Sequence, residues 1–185
     1  AVSLQQNINV QDVSVTAVQK VLLTENVYLM PYSDVKHTDG AFKAVQWIGS
    51  WGIIKGIGKS IGWANKTYFK PDSLVTYTEI SAGLQALVPF RFSEKVKPND
   101  LVTTSVLFEM IASFNTAVAQ HSKAARAAKI SGGFLIADQT YTNAGLLVPA
   151  SSKALTRKEA SFILHQLAKG LDYLEKDLSG AAFFK

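Results

Sequence analysis

A chain of 185 residues, 48% of them hydrophobic, is long enough to bury one good core or two small ones in contact. It has no cysteine, which excludes a thiol nucleophile, a cysteine-ligated metal or iron–sulfur centre, and disulfides. Its 19 basic and 14 acidic residues give +5, which favours anionic partners weakly and falls short of the charge density of a nucleic-acid binder.

No stretch approaches about 18 uninterrupted apolar residues, so no membrane-spanning helix is expected. The absence of cysteine and the opening Ala1 fit a secreted chain freed of a signal peptide. They fit a trimmed cytosolic domain equally well.

Residues 1–11 are polar and read as an irregular lead-in. Val15, Val18, Val21 and Leu22 recur at three- and four-residue steps, predicting a helix over about 14–26 that ends before Pro31. Asp39 is a candidate N-cap for a helix over about 40–50, with Ala41, Ala44, Val45 and Ile48 as its buried face. Gly49, Gly52, Gly56, Gly58 and Gly62 follow closely and predict turns. A Pro71-Asp72 loop comes next, and then Thr76 and Glu79 form a capping box in front of Ile80, Leu84 and Leu87.

A long helix is predicted over about 99–120 from Leu101, Leu107, Phe108, Ile111 and Phe114. A basic, alanine-rich segment with His121, Lys123, Arg126 and Lys129 either continues that helix or starts another, until Gly132-Gly133. Residues 134–150 read as either a short strand or a buried loop. Thr156 and Glu159 repeat the capping box, before an amphipathic helix carrying Ala160, Ile163, Leu164, Leu167, Leu171 and Leu174. The tail with Phe183 and Phe184 is expected to be frayed or docked by its rings.

The repetition is the most informative feature. Leu74 to Leu87 and Ala154 to Leu167 share a Thr, a Glu three residues later and an apolar stripe. Lys97 to Thr103 repeats the pattern of Lys70 to Thr76, but residue 106 is Val, so its box is incomplete. Within 32–87 five elements stand in order: Tyr32-Ser33-Asp34-Val35, a helix, Gly52-Ile53-Ile54-Lys55-Gly56, Phe69-Lys70-Pro71-Asp72 and Thr76-Tyr77-Thr78-Glu79.

In that order and spacing the stretch resembles a surface-layer homology module, a resemblance that covers about a third of the chain and extends more weakly to 150–168 through Thr156-Arg157-Lys158-Glu159. It implies an all-α fold, a small bundle of two or three helix-loop-helix modules in pseudo-symmetric arrangement. The expected organisation is a single domain over 1–185: an N-terminal helix and turn at 12–31, a first module at 32–90, and degenerate second and third modules at 91–178.

The resemblance also implies a non-catalytic module that anchors proteins to a cell surface by binding an anionic, often pyruvylated, envelope polysaccharide. The Arg after the motif Thr is the ligand-contacting residue of such modules, here Arg157, whereas Tyr77 and Thr104 stand at the corresponding places. Arg157, Lys153 and Lys158 are thus the candidate anion-binding cations, with Asp34 of the first motif element and Trp63 as a sugar-stacking ring. The alternatives are an exposed Arg157 and ordinary surface lysines.

No nucleotide loop is read in Gly56-Ile57-Gly58-Lys59-Ser60, which lacks the first Gly at the required spacing and a preceding strand. His37, His121 and His165 lack metal-ligand spacing, and no catalytic constellation, cofactor or metal is expected. The partner that the resemblance implies is an anionic envelope polysaccharide or another envelope protein, outside the cytoplasm. The alternatives are an adaptor domain with a degenerate groove and an accessory C-terminal part of an enzyme.

Overall fold

The computed structural model describes residues 30, 32–61, 64–92, 97, 99–130, 153–176 and 181–185. Three short extended segments, each an apolar pair followed by Thr, meet edge to edge around one axis. They are Leu74-Val75-Thr76, Leu101-Val102-Thr103 and Ala154-Leu155-Thr156. Antiparallel bridges join Leu74 to Thr156, Thr76 to Leu101 and Thr103 to Ala154.

The central residues close a ring of backbone hydrogen bonds. Val75 N–H donates to Leu155 O at 3.0 Å, Leu155 N–H to Val102 O at 2.8 Å, and Val102 N–H to Val75 O at 3.3 Å. Side chains alternate along a strand. Val75, Val102 and Leu155 therefore point together into the core, where each is fully buried, while Leu74, Leu101 and Ala154 share the outer face.

Each segment ends in a Thr that caps a helix. Thr76 starts α2 (Tyr77–Gln85), following α1 (Phe42–Ser50). Thr103 starts α3 (Thr104–His121), which is followed by α4 (Lys123–Ala127). Thr156 starts α5 (Arg157–Leu167), which runs into a 3-10 helix at Lys169–Tyr173. The capping boxes at Thr76–Glu79 and Thr156–Glu159 are complete. With Val at 106, the Thr103 hydroxyl accepts from the Val106 amide and no side chain reaches back.

The all-α expectation is overturned. The structure is mixed α/β, with two small antiparallel sheets among the described residues. β1 (Ile57–Ile61) pairs with β2 (Ala64–Tyr68) in the register Ile57–Tyr68 to Ile61–Ala64, within the stretch expected to be glycine-broken turns. Ile57, Ile61, Thr67 and Tyr68 are strand-favouring types, and they prevail over the glycine count. β3 (Leu174–Lys176) pairs with β4 (Ala182–Phe184) and uses the tail as a strand.

Leu171 and Leu174 are buried as their pattern implied, although the α-helix ends before them. The buried Asn115 of α3 causes that change of course: its amide donates to Leu167 O at 3.1 Å and its carbonyl accepts from Gly170 N–H at 2.9 Å. Asp39 lies just outside α1, whose N-cap is Ala41. Its carboxylate accepts from Ala41 N–H and its carbonyl from Phe42 N–H. The helix expected at 14–26 and the segment 134–150 lie outside the described residues.

The first unit closes on its own glycines. The turn Gly52 to Gly56 drives Ile53 and Ile54 into the core, and α2 crosses it at Gly83, where a Cβ would stand 2.3 Å from Ile53 O. Tyr32 is wedged between Gly49 and Gly56, whose Cβ positions would fall 2.2 Å from its hydroxyl oxygen and 2.5 Å from its ring respectively. The last unit returns to the first: α5 packs on α1, and Lys176 Nζ bonds Ser50 O while lying 4.9 Å from the Trp51 ring centroid.

Gly83→Ala is expected to lower unfolding stability by about 1–3 kcal/mol, because backbone rather than a flexible side chain must give way. Gly58→Ala meets open space and is expected to change stability by less than about 0.5 kcal/mol. Paired urea titrations of the two variants check both.

Candidate functional site

Arg157, the first residue of α5, carries the sequence-predicted site, and three neighbouring elements determine its surroundings. Its backbone N–H donates to Ser73 O at 2.8 Å and that of Lys158 to Pro71 O at 2.9 Å, which pins the helix start against the loop of the first unit. The side chain then runs inward and is 2% exposed. Nε donates to Phe69 O at 2.7 Å, Nη2 donates to Lys55 O, and Nη1 pairs with the Glu79 carboxylate. The guanidinium carbon also lies 5.1 Å from the centroid of the Phe69 ring.

Arg157 therefore ties together the glycine turn, the Phe-x-Pro loop and the helix start of the first unit. Its planar fork suits this task, since the donors diverge towards three acceptors at once.

Glu79 is the partner that sequence reasoning missed. One carboxylate oxygen accepts from Thr76 N–H at 2.8 Å to complete the capping box, and the other receives Arg157. The box explained Glu79 fully on local grounds, so nothing in the spacing called for a second role. Its side chain is 37% exposed, and the ion pair is open to water on that side.

Asp34 is half-buried and acts on the loop. Its two oxygens accept from Phe69 N–H and Lys70 N–H, each at 2.8 Å. Those bonds hold Lys70 at φ 55, a left-handed conformation costly for a side chain with a Cβ. They also aim Phe69 O at Arg157. Lys158 is half-buried with Nζ 3.7 Å from Asp72, and Lys153 is exposed beside the ring. Trp63 lies outside the described residues.

The residues corresponding to Arg157 close their own positions differently. Tyr77 donates its backbone N–H to Asp100 O at 2.9 Å and sets its ring 6.0 Å from Phe92, edge to face. Thr104 is fully buried. An open groove of about 360 Å³ lies elsewhere, along α3, lined by Phe90, Arg91, Ser113, Thr116 and Gln120. Among the described residues no group of three His, Asp or Glu side chains could hold a metal ion, and no helix is long and apolar enough to cross a membrane.

Tyr32 packs against Phe69 at 5.2 Å between ring centroids, and its buried hydroxyl has no hydrogen-bond partner of normal geometry. Burial pushes its phenol up to about 12, against the opposing field of Arg157 and with that of Asp34. A folded value above the unfolded one leaves stability intact below about pH 10, and erodes it by roughly 2–3 kcal/mol as pH rises to about 12. Tyr32→Phe is expected to remove this increment of alkaline lability, read as the difference in denaturant midpoint between the two proteins at about pH 9 and about pH 11.5.

Arg157→Ala should cost about 3–5 kcal/mol, since it strands two inward-facing carbonyls and a carboxylate. Arg157→Lys should recover less than half of that loss, because one ammonium cannot reproduce the fork. Chemical denaturation of both variants checks the order. Compared with family models, with characterised proteins and with solved structures, the chain matches none.

Proposed function

We propose that this chain is a non-catalytic interaction module of a cell envelope, similar to surface-layer homology modules, which serves as a protein-binding adaptor. The observation that carries this reading is the state of Arg157: its side chain is buried and committed to Phe69 O, Lys55 O and Glu79. An incoming anionic sugar would have to break that set before gaining a contact, and would leave Glu79 as a like charge beside it. The order of five sequence elements supports the envelope setting. The engagement of Asp34 and Glu79 within the fold supports a structural rather than an acid–base use of these two carboxylates.

A second reading, recognition of an anionic polysaccharide, is favoured by the groove along α3. There an aromatic ring, a guanidinium, two hydroxyls and an amide line one concavity. These are groups that stack on sugar rings, pair with carboxylates and bond hydroxyls.

Purified envelope polysaccharide titrated onto the chain at low and high salt separates the two. The adaptor reading expects no saturable binding. Saturable, salt-weakened binding lost in Arg91→Ala would move the assignment to the groove. The same binding lost in Arg157→Ala, with folding retained by thermal melt, would overturn the clamp role of Arg157.

A further inference from the structure

The outer face of the three-segment ring is an apolar patch on the axis where the three units meet. Leu74 is 47% exposed and Leu101 46%, two of the four exposed large hydrophobic side chains among the described residues, and they lie on one face. Bridge geometry puts Leu74, Leu101 and the smaller Ala154 on the same side, one per unit. Immediately before them in sequence stand Ser73, Asp100 and Lys153, all exposed, and we take them as the rim; the Asp100 carboxylate also accepts from Lys97 N–H at 3.0 Å. The patch is thus threefold in backbone and asymmetric in chemistry: Leu with Ser, Leu with Asp, Ala with Lys.

We propose that this face pairs with the same face of a second copy of the chain, through a twofold axis that passes by Leu74. A self-complementary pair needs such an axis, lying across the threefold one. Three axes are available, one through each unit, and the rim decides between them.

An axis by Leu101 sets Asp100 against Asp100 of the other copy. An axis by Ala154 sets Lys153 against Lys153. The axis by Leu74 sets neutral Ser73 against itself and brings Asp100 of each copy to Lys153 of the other. It also places the larger Leu101 opposite the smaller Ala154, a knob over a hollow, twice. Asp72, next in sequence to Ser73, already has Lys158 at 3.7 Å to offset its charge.

Stable interfaces bury about 1,200–2,000 Å² in total, and two leucines with one alanine fall well below that. The pair is therefore weak, and forms where chains are held at high local density.

The cysteine-free sequence permits a direct test. Single cysteines are introduced at Leu74→Cys, Leu101→Cys and Ala154→Cys, and at Ala127→Cys as an exposed control remote from the ring. Disulfide formation under mild oxidation is followed on non-reducing gels, with thermal melts to verify folding. Leu74→Cys is expected to link to itself at least about tenfold faster than Ala127→Cys, since only that position lies on the axis within disulfide reach of its copy. Leu101→Cys alone should be slow, and a mixture of Leu101→Cys with Ala154→Cys should form the mixed dimer.

In the Leu74→Cys background, Lys153→Asp should slow linkage about tenfold, and Asp100→Lys added to it should restore the rate. Leu74→Cys linking no faster than the control would overturn the proposal. So would equal self-linking of Leu74→Cys and Leu101→Cys, or indifference to Lys153→Asp. None of these results depends on whether the chain binds polysaccharide or protein.

Discussion

Three backbone hydrogen bonds among Val75, Val102 and Leu155 are the constraint on which the rest of the structure depends. Each segment is too short to make a strand with any stability of its own. Buried amides and carbonyls must nevertheless find partners, and here each central residue finds them only in the other two segments. Once the ring is closed, everything nearby follows from position. The Thr two residues after each outer apolar residue is at a helix start, the central side chains are driven into the core, and the three helices leave the ring at equivalent places. The hairpins and the 3-10 turn are local elaborations on this frame.

The frame also explains why one side-chain position has three fates. The residue after each capping Thr enters the seam between its own unit and the neighbouring one. Arg157 fills its seam by bonding two carbonyls and Glu79, Tyr77 lays a ring on Phe92, and Thr104 is small enough to be enclosed outright. A family resemblance reads Arg157 as a hand held out to a ligand. The geometry of this chain uses it as a strut, with its charge answered from within. The two surfaces proposed for partners, the α3 groove and the outer face of the ring, both lie away from this strut.

Much of the helical skeleton was legible because its signals are local. Thr with Glu three residues on needs nothing beyond one turn of helix, and the missing Glu at 106 correctly marked a cap without its reciprocal bond. The hairpin of β1 and β2 was hidden because Gly58 and Gly62 are stronger punctuation than the scattered Ile57, Ile61, Thr67 and Tyr68 are pattern. The early end of α5 was hidden because Asn115, which redirects the chain at Gly170, is distant in sequence. The burial of Arg157 was illegible for the same reason. Its acceptors are main-chain oxygens of Lys55 and Phe69, and a sequence does not advertise where a carbonyl will point.

The ring carries a consequence for the order of events during synthesis. Val75 has its amide satisfied by Leu155, which follows it about 80 residues later. The first unit can form its helices early, yet the axis it is built around stays open until the last unit has emerged. Such non-local closure is slow relative to helix formation. Between the emergence of Val102 and that of Leu155 the nascent chain thus holds an unfinished apolar edge at Val75 and Val102. In that interval Val75 N–H and Val102 O are the two main-chain groups that wait for Leu155.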